Sequence, residues 1–203
     1  MVERLKQTYS IFSQAYILAI KDNGAIEDWD LGNKDSQAGA KKLYNILKPY
    51  LNKAKECETD SGCFYSGTYK SLFGTQYAWQ PSTHSRYSRG VLANGTPYSI
   101  WSAGSGCSVN YSNSGSGKYS RICGSIHVDI NGDKAPNRAG IDYFQFLLTT
   151  NGIIPPGGKD YKSGYNYKCK YQDTSNTNGE ACTYWVIAKG NMDYRRRDIS
   201  NEY

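Results

Sequence analysis

The first 23 residues constrain the fold more than any other stretch, because no glycine or proline interrupts them and their apolar side chains follow a helical repeat. A helix turns by about 100° per residue, so apolar residues at alternating steps of three and four fall on one face. The pattern predicts an amphipathic helix over Val2–Lys21 that packs on a sheet and ends at Asn23-Gly24. Its apolar stripe consists of Val2, Leu5, Tyr9, Phe12, Tyr16, Ala19 and Ile20.

Two further apolar residues of this helix, Ile11 and Leu18, lie outside the stripe. Because the stripe already supplies the face that packs on the sheet, these two predict a second, smaller apolar flank that faces elsewhere. No capping residue stands ahead of Val2, so the predicted helix begins without an N-cap of its own.

Six cysteines fall into three pairs of near neighbours, and the loops between the members of a pair are rich in Gly, Ser, Asn and Thr. An even number of cysteines closing such loops is typical of disulfides in an oxidising compartment. A CxxC motif, which a zinc site prefers, does not occur. Six cysteines allow 15 connectivities, and we expect the pairing that closes the smallest loops: Cys57–Cys63, Cys107–Cys123 and Cys169–Cys182.

Composition describes a soluble, loop-rich chain with a tendency toward β-structure: 203 residues, a mean hydropathy of −0.68, 19 Tyr and 21 Gly. No run approaches the roughly 20 apolar residues that cross a bilayer, and no charged-then-apolar signal sequence opens the chain. Taken alone, these facts indicate a cytosolic protein, but the cysteines argue for export. The sequence therefore predicts an extracytoplasmic domain whose targeting segment has been removed.

A net charge of +6 is modest, and its only dense basic run is Arg195–Arg197. Nucleic-acid binding requires basic residues interleaved with exposed aromatic residues on one face, and an exported chain rarely meets nucleic acid. We therefore expect no nucleic-acid partner.

The rest of the chain predicts one short helix followed by strands. Ser36 is a candidate N-cap for a helix over Ser36–Leu51, and Asn94-Gly95 favours a tight hairpin turn between Val91–Leu92 and Tyr98–Trp101. Strands are predicted at Ile122–Ile130, with His127 exposed on its polar face, at Tyr143–Leu148 and at Tyr184–Ala188. The segment between Cys57 and Cys63 is expected to be a polar loop.

These elements predict an α+β fold: a long N-terminal amphipathic helix packed on an antiparallel β-sheet, with loops closed by disulfides. At this length one core is sufficient, so residues 1–203 are expected to form a single domain. We divide it into an N-terminal helix (1–22), a variable region of helix, loop and strand (23–121) and a C-terminal sheet region (122–203).

Residues 129–144 form the segment with the clearest candidate ligand-binding pattern. Its oxygen-bearing side chains alternate in the way that hard cations such as Ca²⁺ prefer. The match is partial: Lys134 stands where a calcium loop has a glycine, and Gly140 stands where it has a bidentate acid. The candidate ligands are Asp129, Asn131, Asp133, Asn137 and Asp142. Asx side chains at a turn also accept hydrogen bonds from backbone N–H groups, and we weigh this turn interpretation ahead of a calcium site. No other cofactor is indicated.

Catalytic motifs are not recognisable. The chain has no GxSxG and no P-loop, and neither His84 nor His127 stands in a recognisable arrangement with Ser or Cys. We therefore expect no enzymatic activity.

Three segments of the chain resemble segments of bacterial type IV pilin-like proteins. This group includes the pseudopilins of type II secretion, and its members are made as prepilins. The second of the three segments gives the most specific match. In chain order they are Arg4–Ser10 with Gln14-Ala15; Asp129-x-Asn131-Gly132-x-x-x-Pro136-Asn137-x-x-Gly140-x-Asp142-x-Phe144; and Cys182-Thr183-x-Trp185-Val186-Ile187 with Gly190-x-Met192-Asp193-Tyr194.

The resemblance implies that the N-terminal helix continues upstream, in the full-length protein, as a segment that spans the inner membrane. It also implies a subunit that is membrane-anchored before assembly, at the cell surface or in the periplasm, with other pilin or pseudopilin subunits as partners. The flank formed by Ile11 and Leu18 is then the expected assembly surface, joining subunits in a non-closing, helix-to-helix arrangement.

Three functions are weighed on this basis. The first is a non-enzymatic structural subunit of a type IV pilus or type II secretion pseudopilus. The second is a secreted or tip-located adhesin or lectin-like module, which binds a surface glycan or protein through the Tyr- and Trp-rich loops Tyr65–Trp79 and Tyr98–Tyr119. The third, an exported hydrolase, ranks last because no nucleophile–base pair is visible.

Overall fold

A computed structural model describes residues 1–162 and 168–203. It has the α+β class that the sequence predicts, with a long N-terminal helix on a six-stranded antiparallel sheet. The elements, in chain order, are α1 (Val2–Asn23), α2 (Gln37–Leu47), β1 (Lys53–Glu58), β2 (Ser88–Leu92), β3 (Pro97–Ser102), β4 (Ile122–Asp129), β5 (Tyr143–Thr149), β6 (Gly152–Ile154) and α3 (Thr183–Lys189).

The sheet is a meander in which each strand pairs with the next one along the chain. The predicted hairpin forms between β2 and β3. Gly95 takes a φ of +80°, the N–H of Leu92 donates to the carbonyl of Thr96 over 2.9 Å, and the Asn94 side chain accepts from the N–H of Thr96 over 3.1 Å. Asn and Gly tolerate the left-handed backbone of such a turn, which is why this dipeptide predicts it.

Helix α1 lies on one face of the sheet through the predicted stripe. Leu5, Phe12 and Ala19 are fully buried, and the hydroxyl of Tyr16 donates to the carbonyl of Thr149 over 2.8 Å. The ends and edge of the stripe are only partly buried, at Val2, Tyr9 and Ile20. The helix ends at the predicted Asn23-Gly24, where Gly24 turns the chain with a φ of +78° and its N–H donates to the carbonyl of Ile20.

The region after α1 differs from expectation in one strand. Helix α2 begins as predicted, with Ser36 Oγ accepting from the N–H of Gly39 over 3.0 Å. A strand that the sequence did not predict, β1, pairs with β2 and takes in the first two residues of the expected polar loop, Cys57 and Glu58, while residues 59–63 form a turn and bends. Its alternation of charged residues does not resemble a half-buried strand, and pairing with β2 is what extends it.

The second face of the sheet is also covered, by loops within residues 60–87, 103–121, 155–162 and 168–182. The prediction that His127 is exposed is therefore wrong. Its side chain is only 2% exposed and lies between the rings of Tyr87 and Tyr143, at centroid distances of 5.2 and 5.7 Å. The alternation of apolar and polar residues along β4 indicated that the strand has two faces. It did not indicate that loops from distant parts of the chain cover the polar face.

The predicted strand Tyr184–Ala188 is instead part of helix α3. A five-residue apolar run has no period of its own, so helix and strand cannot be distinguished from it. Trp185 and Val186 are buried while Ala188 is exposed, as one face of a short helix requires, and Gly190 ends it with a φ of +70°.

Three disulfides join the cysteines in the predicted neighbour pairing: Cys57–Cys63, Cys107–Cys123 and Cys169–Cys182. Bonds of this kind persist in an oxidising, extracytoplasmic environment. Within the described ranges, none of the helices has both the length and the apolar character that a bilayer crossing requires.

Candidate functional site

The predicted assembly flank of α1 lies at the surface. Leu18 is 44% exposed, while Ile11 is partly buried and packs against the edge of the core. Together with Tyr50 and Leu92 they line a groove between the helix and the β2–β3 turn. The flank is thus available for contact with another molecule.

Ile17 is a further exposed apolar residue of α1, next to Leu18 in the sequence, although the sequence pattern did not single it out. It is 65% exposed, more than any other large apolar side chain of the described residues. Position 17 follows a buried Tyr16 and precedes Leu18, so the helical repeat alone could have shown that it points away from the sheet. We refer to Ile11 and Leu18 as the assembly face.

The candidate calcium segment folds as a turn held by two buried carboxylates. Asp142 accepts from the N–H groups of Asn137 (2.8 Å) and Arg138 (2.6 Å), and Asp129 accepts from the hydroxyl of Tyr69 (2.5 Å) and the N–H of Asn131 (3.2 Å). Burial raises the pKa of Asp129 to about 7, opposed by the bond from Tyr69.

The five candidate ligands are therefore only partly brought together. Asp129, Asn131, Asn137 and Asp142 lie along one turn, whereas Asp133 is exposed. Their backbone hydrogen bonds match the turn interpretation. Among residues 1–162 and 168–203, no three His, Cys, Asp or Glu side chains form a group able to hold a metal ion. Calcium binding through the Asp and Asn oxygens stays a prediction.

A second candidate site lies on the face of the sheet away from α1. Cross-strand pairing places Trp101 opposite Ser125, and His127 opposite Gln145. Alternate residues of a strand share one face, so these side chains converge on a cleft. The cleft contains about 390 Å³ of empty space, part of it open to solvent.

The floor of the cleft is polar and uncharged. Ser125 Oγ and His127 Nε2 are 3.0 Å apart, and Gln145 Nε2 stands 3.5 Å from the same nitrogen. Burial lowers the pKa of His127 to about 3, so its imidazole is neutral at physiological pH. The side-chain oxygen of Gln145, a residue only 4% exposed, has no hydrogen-bond partner among the described residues.

The walls of the cleft are aromatic. His84 stacks on Tyr87 at 4.8 Å and contacts Trp79 at 5.5 Å. Trp101 and Tyr111 also line the cleft. Trp79 and Trp101 are only partly buried, so both indole rings present surface to the cleft.

The rim carries one charge of each sign. The carboxylate of Asp35 lies 3.4 Å from the guanidinium of Arg86 and accepts from Nε1 of Trp101 over 2.8 Å. Because the two charges are paired with each other, the described residues leave no uncompensated charge at the mouth of the cleft.

A buried arginine holds the wall that carries His84 and Tyr87. Arg89 is only 1% exposed, and its guanidinium donates to the carbonyls of Pro81 (2.6 Å), Thr59 (3.1 Å), Tyr87 and His84. A buried charge is tolerated only when hydrogen bonds satisfy it. Arg89 therefore fixes the path of this loop without contacting the mouth of the cleft.

The Ser125–His127 pair does not have the geometry of a hydrolase. In a catalytic triad, a third group accepts from the second nitrogen of the histidine. Here His127 Nδ1 has no partner among the described residues, and a pKa near 3 makes the imidazole a poor base. The arrangement is suited to hydrogen bonding rather than to proton abstraction.

The predicted Tyr- and Trp-rich loops contribute to the cleft only in part. Trp79, Trp101 and Tyr111 line it, whereas Tyr69 and Tyr119 are fully buried. Sequence reasoning missed Asp35, His127 and Gln145. For Gln145, the signal was a lone polar residue in the otherwise apolar predicted strand Tyr143–Leu148.

A comparison of the chain with protein-family models, with curated proteins and with solved structures finds no match in any of the three.

Proposed function

We propose that this protein is a non-enzymatic structural subunit of an extracytoplasmic filament, of the kind formed by type IV pilins and type II secretion pseudopilins. The proposal is supported by the three segments that resemble those proteins and by a long N-terminal helix lying on an antiparallel sheet. The disulfides suit a domain that works outside the cytoplasm.

The observation that carries the proposal is the division of α1 into two faces. One face is buried against the sheet through Leu5, Phe12 and Ala19. The other exposes Leu18, whose burial needs a partner. Burial of a single Leu or Ile side chain contributes roughly 1.5–3 kcal/mol, so a repeating contact through the assembly face adds stability at every subunit of a filament.

The partner in this proposal is another copy of the subunit or a related pilin. Contacts of this kind are head-to-tail and do not close, so they generate a helical filament rather than a ring. The resemblance further implies an inner-membrane anchor upstream of Val2, which holds subunits in place before assembly.

Assembly in the native host tests the proposal. Leu18→Asp places a charge on the assembly face, and we expect it to remove the protein from the sheared extracellular filament fraction while its cellular amount stays normal. Ser10→Asp is the matched control, because Ser10 is exposed on the same helix and is already polar. If both variants assemble as the wild type does, the proposal is wrong.

A second candidate function, a binding module carried by such a filament, is favoured by one observation. The aromatic cleft lies on the face of the sheet away from α1. A ligand in the cleft and a neighbouring subunit at the assembly face therefore contact different sides of the domain.

A further inference from the structure

The charge of the cleft restricts the chemistry of its ligand. Arg86 is paired with Asp35, the imidazole of His127 is neutral at physiological pH, and Arg89 is satisfied by backbone carbonyls. An anion would need an unpaired cationic group, and the described residues of the cleft provide none. Aromatic faces alone attract an organic cation, but a quaternary ammonium group has no N–H or O–H to donate to the buried Gln145 oxygen. The described residues therefore match an uncharged ligand that carries hydroxyl groups.

The walls and the floor restrict the ligand further. Trp79 and Trp101 both line the cleft and are partly exposed, which favours a ligand with flat apolar faces. Ser125 and Gln145 offer hydroxyl and amide groups at the floor. The oxygen of Gln145 has no donor among the described residues, and a buried acceptor without a partner is destabilising. A ligand hydroxyl that donates a hydrogen bond to the Gln145 oxygen removes this destabilisation.

Size is the third restriction. The empty space of about 390 Å³ includes open solvent, so the enclosed part of the cleft is smaller than this. The cleft therefore matches one ring rather than an extended chain.

We propose that the cleft binds a single ring of a neutral saccharide, with its C–H faces against Trp79 and Trp101 and its hydroxyls on Ser125 and Gln145. A pyranose ring combines apolar faces with a rim of hydroxyl donors and acceptors, and it carries no charge. This inference rests on the second candidate function and assigns its ligand class.

Fluorine NMR of protein labelled with 5-fluorotryptophan tests the proposal residue by residue. The chain has four tryptophans, and two of them, Trp29 and Trp185, are 5% and 1% exposed and lie outside the cleft. Glucose, galactose, mannose and N-acetylglucosamine are titrated separately. We expect at least one of them to shift the Trp79 and Trp101 signals saturably while the Trp29 and Trp185 signals stay in place.

Two variants and a control define the site. Trp79→Leu removes one aromatic wall and should raise the dissociation constant roughly tenfold, the effect of about 1.4 kcal/mol. Ser125→Ala should raise it severalfold. Tyr65→Leu removes an exposed aromatic side chain of the same loop outside the cleft and should leave it unchanged. The Trp29 and Trp185 signals report whether each variant is folded.

Three further probes separate the ligand class from the binding function: sialic acid, choline and a Trp-Tyr dipeptide. If one of these shifts Trp79 and Trp101 and no neutral sugar does, the saccharide inference is overturned and a binding module remains. If no probe shifts them, or if all four tryptophans move together, both are overturned. Neither result bears on filament assembly, which the helix variants test.

Discussion

The rings of Phe12 in α1 and Tyr98 in β3 meet edge to face, with centroids 5.3 Å apart and planes inclined by 66°. Both side chains are fully buried, and Tyr44 of α2 stacks on the other side of Tyr98 at 6.0 Å. Helix α1, helix α2 and the sheet therefore meet at one aromatic cluster, which contributes to holding the long helix on the sheet.

The two faces of α1 should respond differently to the same substitution. Phe12→Asp removes a buried ring and buries a carboxylate, so we expect it to lower the free energy of unfolding by at least about 4 kcal/mol. Leu18→Asp changes an exposed side chain and should alter it by less than about 0.5 kcal/mol. Urea unfolding followed by circular dichroism measures both. Equal destabilisation by the two variants would contradict the division of the helix into a packed face and an assembly face.

Stability should depend on pH through Glu180. This side chain is 2% exposed and accepts from the hydroxyl of Tyr77, and burial raises its pKa from 4.5 to about 8. The folded state therefore binds more protons than the unfolded state between these values, and the contribution of Glu180 to stability falls as pH rises from about 5 to 8.

Glu180→Gln keeps an acceptor for Tyr77 and removes the titrating group. We expect wild type and variant to have similar unfolding free energies near pH 5, and the variant to be more stable at pH 8 by on the order of 3 kcal/mol. Glu3→Gln is the control, because the Glu3 side chain is 80% exposed. A difference between Glu180→Gln and wild type that does not change with pH would rule out burial of an ionisable Glu180.

The disulfide between Cys107 and Cys123 should support both the fold and the cleft. It closes the loop that carries Tyr111, which lines the cleft. Replacing both cysteines by Ala should lower the free energy of unfolding by about 3 kcal/mol, the value for a loop of about 15 residues. The double variant should also bind the cleft ligand more weakly. Unchanged binding in a folded double variant would show that the loop keeps its position without the bond.

Peptide mapping without reduction checks the pairing itself. We expect three cross-linked fragments, each containing one neighbouring pair of cysteines. The reduced and alkylated protein, in which these fragments separate, is the control. Any fragment that joins cysteines of different pairs would refute the arrangement.

The turn held by Asp142 should be structural with or without calcium. Asp142→Ala leaves the N–H groups of Asn137 and Arg138 without their acceptor and should lower the free energy of unfolding by about 3 kcal/mol. Asp133→Ala changes an exposed side chain and should have little effect. We expect added Ca²⁺ to shift the wild-type melting temperature little. A rise of several degrees that Asp142→Ala abolishes would establish a calcium site instead.

Local features of this chain were predictable because their signals lie within a few residues. The stripe of α1, the Ser36 cap, the Asn94-Gly95 turn and the neighbour pairing of cysteines each depend on nearby side chains or on short loop closure. The exposed flank at Leu18 follows from the same helical repeat. Strand β1 and helix α3 were missed, because a charged edge strand and a short apolar run carry no decisive period.

The sequence by itself determined an N-terminal helix with one packed face, an antiparallel sheet region and three disulfide-closed loops. Only the tertiary structure decided that the second face of the sheet is covered, which buries His127 and Glu180 and brings Trp79, Trp101 and Gln145 to one cleft. The physical reason is the distance along the chain over which each kind of interaction acts. Helical and turn preferences act between neighbours, whereas burial and the cleft depend on loops that return to the sheet from far along the chain.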